Sequence, residues 1–133
     1  MDHQALQHTL EALPAVQLAV LFGSRATARG RSESDVDLGV ILEPNSSTSR
    51  GEVLVATGRA VERDIDLVDL TVAPPLLRFQ IARHGTLLVE RKPRLWVDFK
   101  TRAMIDWWDW APVARRHHEI ALRRLRQRAA GED

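Results

Sequence analysis

Apolar segments alternate along the chain with short polar ones, and their spacing separates strands from helices. Four segments have the length and the β-branched or apolar composition of strands. They are Val16–Phe22, Val36–Leu42, the segment that contains Asp64 and Asp66, and Thr86–Glu90. Helical spacing or end signals predict helices over Asp2–Leu13, Arg50–Glu62, Pro75 to about Arg83, Leu95–Trp108 and Pro112–Arg128.

Two aspartates stand at the start of the second predicted strand. Asp35 and Asp37 are two residues apart, so their side chains point to the same face, about 6.6 Å apart along the strand. Two carboxylates this close repel each other, and a divalent cation removes that conflict. Mg²⁺ prefers oxygen ligands, often one or two carboxylates together with substrate phosphates. The pair therefore indicates a metal site.

A Gly-Ser turn follows the first predicted strand. Gly23 allows a tight turn with the backbone close to a ligand. Ser24 can cap a short helix over residues 25–28, whose free N–H groups would suit a phosphate. Arg25, together with Arg29 and Arg31, adds positive charge nearby. The segment lacks the residues of a P-loop and of a nucleophile elbow.

Taken together, the run from Leu21 to Val40 resembles the motif of the polymerase-β-type nucleotidyltransferase superfamily. Its shortness is similar to that of the minimal nucleotidyltransferases, the MntA-like antitoxins paired with HEPN-domain toxins. One departure is that Arg29-Gly30 comes two residues later than the Arg-Gly of related chains. The resemblance implies an α/β (α+β) fold, a small mixed sheet flanked by helices with further helices at the C-terminus.

The resemblance also implies a third carboxylate on a neighbouring strand. Asp66 matches best because it directly precedes a Leu-Val-Asp-Leu run. Asp64 shares its face and is a weaker candidate, whereas Asp69 points the other way and is expected to be a strand-end turn residue. The implied site has Asp35, Asp37 and Asp66 as metal ligands and catalytic residues. Its implied phosphate-binding residues are Gly23, Ser24, Arg25 and Ser34.

The activity that the resemblance implies is Mg²⁺-dependent transfer of AMP from ATP, with two metal ions as cofactors. The acceptor would be a tyrosine hydroxyl on a HEPN ribonuclease toxin, and the modification would neutralise that toxin. The chain would then be the antitoxin of a type VII HEPN/MNT toxin–antitoxin system. Two alternatives stay open: a binding-only antitoxin that masks the toxin by contact, and a small-molecule nucleotidyltransferase of the aminoglycoside-modifying kind.

Length and composition narrow these alternatives. A chain of 133 residues is typical of one domain, here a core over about residues 14–92 with a helical extension over about 94–129. It has no room for the extra domains that hold a nucleic acid template, so we expect a protein acceptor and no direct nucleic-acid partner. Cysteines are absent, and neither a signal peptide nor a membrane span is evident, which favours a cytoplasmic protein.

The last forty or so residues hold all the tryptophans, which are Trp96, Trp107, Trp108 and Trp110. Trp107, Trp108 and Trp110 cannot share one helical face because adjacent residues are about 100° apart. Some of them are therefore expected to be exposed, where tryptophan is typical of protein interfaces. The alternative is that all four pack this segment onto the sheet. His117 and His118 are expected on a helix surface, since adjacent histidines diverge.

Overall fold

The computed structural model describes residues 3–23 and 35–131. It begins with helix α1 (His3–Glu11), followed by strands β1 (Val16–Phe22) and β2 (Val36–Leu42). Next come helix α2 (Arg50–Val61) and strand β3 (Ile65–Asp69). Helix α3 (Pro75–His84), strand β4 (Thr86–Glu90) and the long helix α4 (Leu95–Gly131) complete the described chain.

The four strands form one mixed sheet in the order β3-β2-β1-β4. Strand β1 pairs antiparallel with both β2 and β4, whereas β3 runs parallel to β2. The parallel pair requires a crossover connection, which α2 provides. The predicted small mixed sheet with flanking helices is therefore confirmed.

The sheet is covered by helices on both faces. Helices α1 and α2 cover one face, where Leu6, Leu10 and Val53 are completely buried in the same core as Val16 and Leu38. On the other face, residues from the strands pack with residues of α3 and α4. The members of this second core are Leu18, Val20, Phe22, Leu70, Ile81 and Phe99. Burial of both faces fixes which side chains of each strand point to which layer.

The C-terminal part differs from the prediction of two helices. Leu95–Gly131 is one helix of 37 residues, and Pro112 lies inside it. Proline lacks the N–H that would bond the carbonyl of Trp108, at a cost of about 3 kcal/mol. The prediction was wrong because one proline did not end the helix: Ala111 precedes Pro112, and the good helix formers Ala114 and Arg115 follow it closely.

Gly85 is the residue that caps the C-terminal end of α3. Its φ of −71° is ordinary extended backbone, so no left-handed conformation requires glycine here. A Cβ at this position would lie 2.5 Å from Val20 Cγ1 and 2.6 Å from the carbonyl oxygen of Ile81. Glycine is needed because the chain leaves the helix in direct contact with β1.

No helix within the described ranges is long and apolar enough to cross a membrane.

Arg91 ties the end of β4 to the loop between α1 and β1. Its guanidinium group donates hydrogen bonds to three backbone carbonyls, those of Val16 (3.2 Å), Leu13 (3.0 Å) and Glu11 (3.3 Å). A planar guanidinium presents several donors in a fixed fork, which a lysine ammonium cannot reproduce. One side chain therefore holds the segment that leads into the central strand.

We expect Arg91→Ala to lower the free energy of unfolding by about 1–2 kcal/mol, because carbonyls that now accept charge-assisted hydrogen bonds lose their donor. Urea denaturation followed by circular dichroism measures the change. Lys92→Ala is the control, since Lys92 is the next residue and is also exposed. Equal destabilisation by the two variants would contradict the assigned role of Arg91.

Candidate active site

The first two acidic residues of the candidate site lie at the start of β2. Asp35 is exposed immediately before the strand, and Asp37, its second residue, is half-buried. Between and beyond them, Val36 and Leu38 are completely buried against the layer of α1 and α2. Because side chains alternate along a strand, Asp35 and Asp37 both point to the opposite face.

Strand β3 brings Asp66 beside Asp37. In the parallel register these two residues are direct partners across the strands, which lie about 4.8 Å apart. Asp64 and Asp35 directly precede the first paired residues of the two strands, and the carbonyl of Asp64 accepts a hydrogen bond of 2.9 Å from the N–H of Val36. Four acidic residues therefore occupy one corner of the sheet, on the face that α3 and α4 cover farther along.

Asp69 belongs to a different environment. Its partner across the strands is Val40, whose side chain is in the core beneath α1 and α2. The Oδ1 atom of Asp69 accepts hydrogen bonds from the N–H of Thr71 at 2.9 Å and from its hydroxyl at 2.7 Å. These bonds are those of a strand-end turn, which confirms the role that the sequence predicted for this residue.

Gly23 completes the corner from the end of β1. Its preceding residue, Phe22, pairs with Asp37 across the sheet. Gly23 has a φ of +82°, and a Cβ at this position would collide with the Asp37 carboxylate. Both observations require glycine. The backbone of the turn thus lies directly against one of the acidic side chains.

The acidic residues are aligned, but their carboxylate groups do not form a closed cluster. Among the side chains that the structure describes, no three from Asp, Glu or His lie close enough together to hold a metal ion. Like-charged carboxylates repel one another when no cation lies between them, so alignment of the backbone does not by itself draw the groups together. Ser24, Arg25 and Ser34, the other predicted phosphate-binding residues, lie outside the described ranges.

Arg50 is a neighbour of the site that the sequence interpretation did not single out. It is the first residue of α2, and its guanidinium donates a hydrogen bond of 2.6 Å to the carbonyl of Leu67. Together with Leu54, Ile65 and Asp66 it lines an open cavity of about 450 Å³. Ser49 caps α2, but no local pattern in the sequence indicates that the first residue of this helix lies beside β3.

The tryptophans divide into two packed and two exposed residues. Trp107 stacks on Phe79 of α3 with ring centroids 5.2 Å apart, and Trp96 stacks on Phe99 at 5.8 Å. Trp108 and Trp110 are 66% and 42% exposed. The prediction that some tryptophans are exposed is therefore confirmed. His117 and His118 are exposed on α4, also as predicted.

Known proteins are similar to this chain in sequence and in fold. Protein adenylyltransferase MntA of Shewanella oneidensis is 32% identical over 77 residues, which are 57% of this chain and 55% of the relative. The match thus spans about half the length of that relative. A chain from a toxin–antitoxin crystal structure with AMP-PNP has a TM-score of 0.77 at 22% identity, over 92% of this chain and 99% of that one.

A second solved structure is that of the tri-AMPylated Shewanella oneidensis HEPN toxin in complex with MNT antitoxin. It has a TM-score of 0.68 at 20% identity and covers 91% of this chain and 99% of its own. At such identities the solved structures establish the fold. The sequence itself matches the family described as "Polymerase beta, Nucleotidyltransferase" over residues 4–94. This match includes the Gly23 turn and the acidic corner, and the chain belongs to the polymerase β nucleotidyltransferase family.

Proposed function

We propose that this chain is the antitoxin of a type VII HEPN/MNT system and acts as a protein adenylyltransferase. It would transfer AMP from ATP to a tyrosine hydroxyl of a HEPN ribonuclease toxin and so neutralise the toxin. The observation that supports this proposal most strongly is the alignment of Asp37 with Asp66 against the backbone of Gly23. The adenylyltransferase name of the Shewanella relative supports it as well.

The acidic corner fits divalent cations by the chemistry of its donors. Asp35, Asp37 and Asp66 offer only carboxylate oxygens, which Mg²⁺ prefers, and the Asp37 carboxylate lies against the backbone of Gly23, where a phosphate would bind. Two bound ions, when present, would stabilise charge on the attacking and leaving oxygens of a displacement at phosphorus. We assign Asp35 and Asp37 as ligands of these ions. Asp66 completes the set of ligands from the neighbouring strand, and Asp64 is a weaker candidate.

The reaction follows from the same residues. ATP would bind with its phosphates beside Gly23, with Ser24, Arg25 and Ser34 as further proposed contacts. The tyrosine oxygen attacks the α-phosphorus, and the bond from that phosphorus to the pyrophosphate oxygen breaks. Asp66 accepts the tyrosine proton. The products are tyrosyl-AMP on the toxin and pyrophosphate.

A protein acceptor is part of this proposal. We propose that the described residues belong to a single nucleotidyltransferase domain. The solved structure of a tri-AMPylated HEPN toxin with its antitoxin supports a HEPN toxin as the partner. This partner would present its tyrosine to the open corner from outside.

The test of the proposal is incubation of the chain with its cognate HEPN toxin, ATP and Mg²⁺, followed by mass spectrometry of the intact toxin. We expect the toxin to gain one or more AMP units and to lose its ribonuclease activity, and omission of Mg²⁺ should abolish both changes. Neutralisation without any mass gain would refute the enzyme and favour an antitoxin that acts by binding alone.

The role of Asp66 is tested by a matched pair of variants on one strand. Asp66→Asn should reduce the rate of AMP transfer by about 10²–10⁴-fold, the usual contribution of a positioned proton acceptor. Asp69→Asn, the control, makes the same chemical change on the opposite face and keeps an oxygen that can accept from Thr71, so its rate should remain near that of wild type. Radiolabelled ATP measures both rates, and similar rates for the two variants would contradict the assignment.

Asp35→Ala and Asp37→Ala should likewise abolish transfer while the far-ultraviolet circular dichroism spectrum stays unchanged, because both residues lie at the start of β2 and neither is fully buried. Removing one of several like-charged groups relieves repulsion between the others. Wild-type turnover by either variant would show that the metal ligands are assigned wrongly.

Gly23→Ala tests the contact between the turn and the acidic corner. Alanine costs about 1–2 kcal/mol in a left-handed backbone conformation, and its methyl group would displace the Asp37 carboxylate. We expect loss of transfer together with a lower melting temperature. The double variant Gly23→Ala/Asp37→Ala should recover part of the lost stability but no activity, and a Gly23→Ala protein with normal transfer would contradict the contact.

A further inference from the structure

The second half of α4 has almost no contact with the rest of the described fold. Phe99 and Ala103, in its first half, are buried. From Pro112 to Gly131 every residue is exposed except Ala114, which is half-buried. These 20 or so residues extend about 30 Å at the rise of an α-helix. Most helical stability in proteins comes from tertiary packing, and this segment has little of it within the described fold, so it is suited to a partner.

One face of this free helix has the spacing of a helix–helix seam. Trp107, Ala111, Ala114 and His118 follow one another at intervals of four, three and four residues, and all four line an open groove of about 420 Å³. The same intervals continue to Ala121 and then to Leu125, which is 58% exposed. Intervals of three and four residues place side chains along one stripe that faces a second helix. We call this stripe the α4 seam.

The charge beside the α4 seam is strongly positive. Residues 112–131 contain six arginines and one glutamate, a formal net charge of +5, although the whole chain carries only +1. At about 100° per residue, Arg115 and Arg126 lie on one side of the seam, Arg124 and Arg128 lie on the other, and the other two arginines lie on the opposite face of the helix. A mostly apolar seam flanked by arginines is complementary to a helix whose own apolar stripe is bordered by acidic residues.

We propose that the α4 seam is the docking surface for such an acidic-bordered helix on the toxin. This inference rests on the proposed function for the identity of the partner, and it adds which part of this chain holds that partner and by what chemistry. A second copy of this chain is a poor occupant, because the pairing would place two segments of charge +5 against each other. The α4 seam shares no residue with the acidic corner that would receive the acceptor.

Two variants that differ only in helix face test the proposal. Leu125→Glu introduces a charge in the seam, and Ile120→Glu introduces the same charge about 140° around the helix. Both replaced side chains are exposed, at 58% and 38%. We expect Leu125→Glu to weaken binding of the cognate HEPN toxin by about 10- to 100-fold, since a charge buried in an apolar contact is costly. Ile120→Glu should bind within about twofold of wild type.

The measurements are isothermal titration calorimetry with the full-length chain and circular dichroism of each variant. Equal helicity of the two variants ensures that a difference in affinity reports on the seam. Raising the salt concentration should weaken toxin binding by screening the arginines, whereas it would strengthen self-association of like-charged helices. Two results would overturn the proposal. One is that the chain forms a dimer and Leu125→Glu abolishes it. The other is that the chain binds RNA and both variants weaken that binding equally, while the affinity for toxin stays unchanged.

A failure of the docking surface can be distinguished from a failure of the proposed AMP transfer. In the transfer assay, Leu125→Glu should raise the KM for toxin and leave kcat near the wild-type value, because the acidic corner is intact. If wild-type chain binds the toxin through the seam but transfers nothing, the proposed activity fails and the docking surface stands. If wild type transfers AMP and Leu125→Glu binds as tightly as Ile120→Glu, only the docking surface fails.

Discussion

The parallel register between β2 and β3 is the constraint on which the candidate site depends. It makes Asp37 and Asp66 direct neighbours although 28 residues separate them in the chain. A slip of one residue would turn Asp66 to the opposite face of the sheet. The slip is prevented by the core beneath α1 and α2, because Val36, Leu38 and Leu67 are buried there. Burial on one face therefore determines which carboxylates meet on the other.

The contact between Gly23 and Asp37 extends this dependence to β1. The antiparallel pairing of Phe22 with Asp37 brings the turn after β1 to the acidic corner, and only a residue without a Cβ fits there. Three strands thus contribute one residue each to the site: Gly23 after β1, Asp37 on β2 and Asp66 on β3. The local sequence around each residue does not by itself determine where it lies in the site. A site of this kind is rigid because it is part of the sheet, which is how a reactive geometry is best maintained.

Much of the fold could be predicted from the sequence because its strands are short apolar runs between turn residues. The bounds predicted for β1, β2 and β4 are those of the structure, and period-two alternation correctly separated Asp66 from Asp69. Alternation indicates the face of the sheet on which a side chain lies but not the register between two strands. It therefore could not predict the pairing of Asp37 with Asp66. Arg50 was missed for a similar reason: its relation to the site arises from the crossover of α2 beside β3 and not from any local pattern.

Helix α4 shows how local and tertiary effects divide along one element. Its first half is held by the core, through Phe99 and the stacking of Trp107 on α3, whereas its second half depends on intrinsic helix propensity alone. Pro112 lies at this boundary, where the lost hydrogen bond falls on exposed backbone and disturbs no packing. The stripe that begins with the packed Trp107 continues past the proline without a break. The contacts that stabilise the domain and those available to a partner are therefore parts of one continuous surface, and docking on the second half would extend the core of the first.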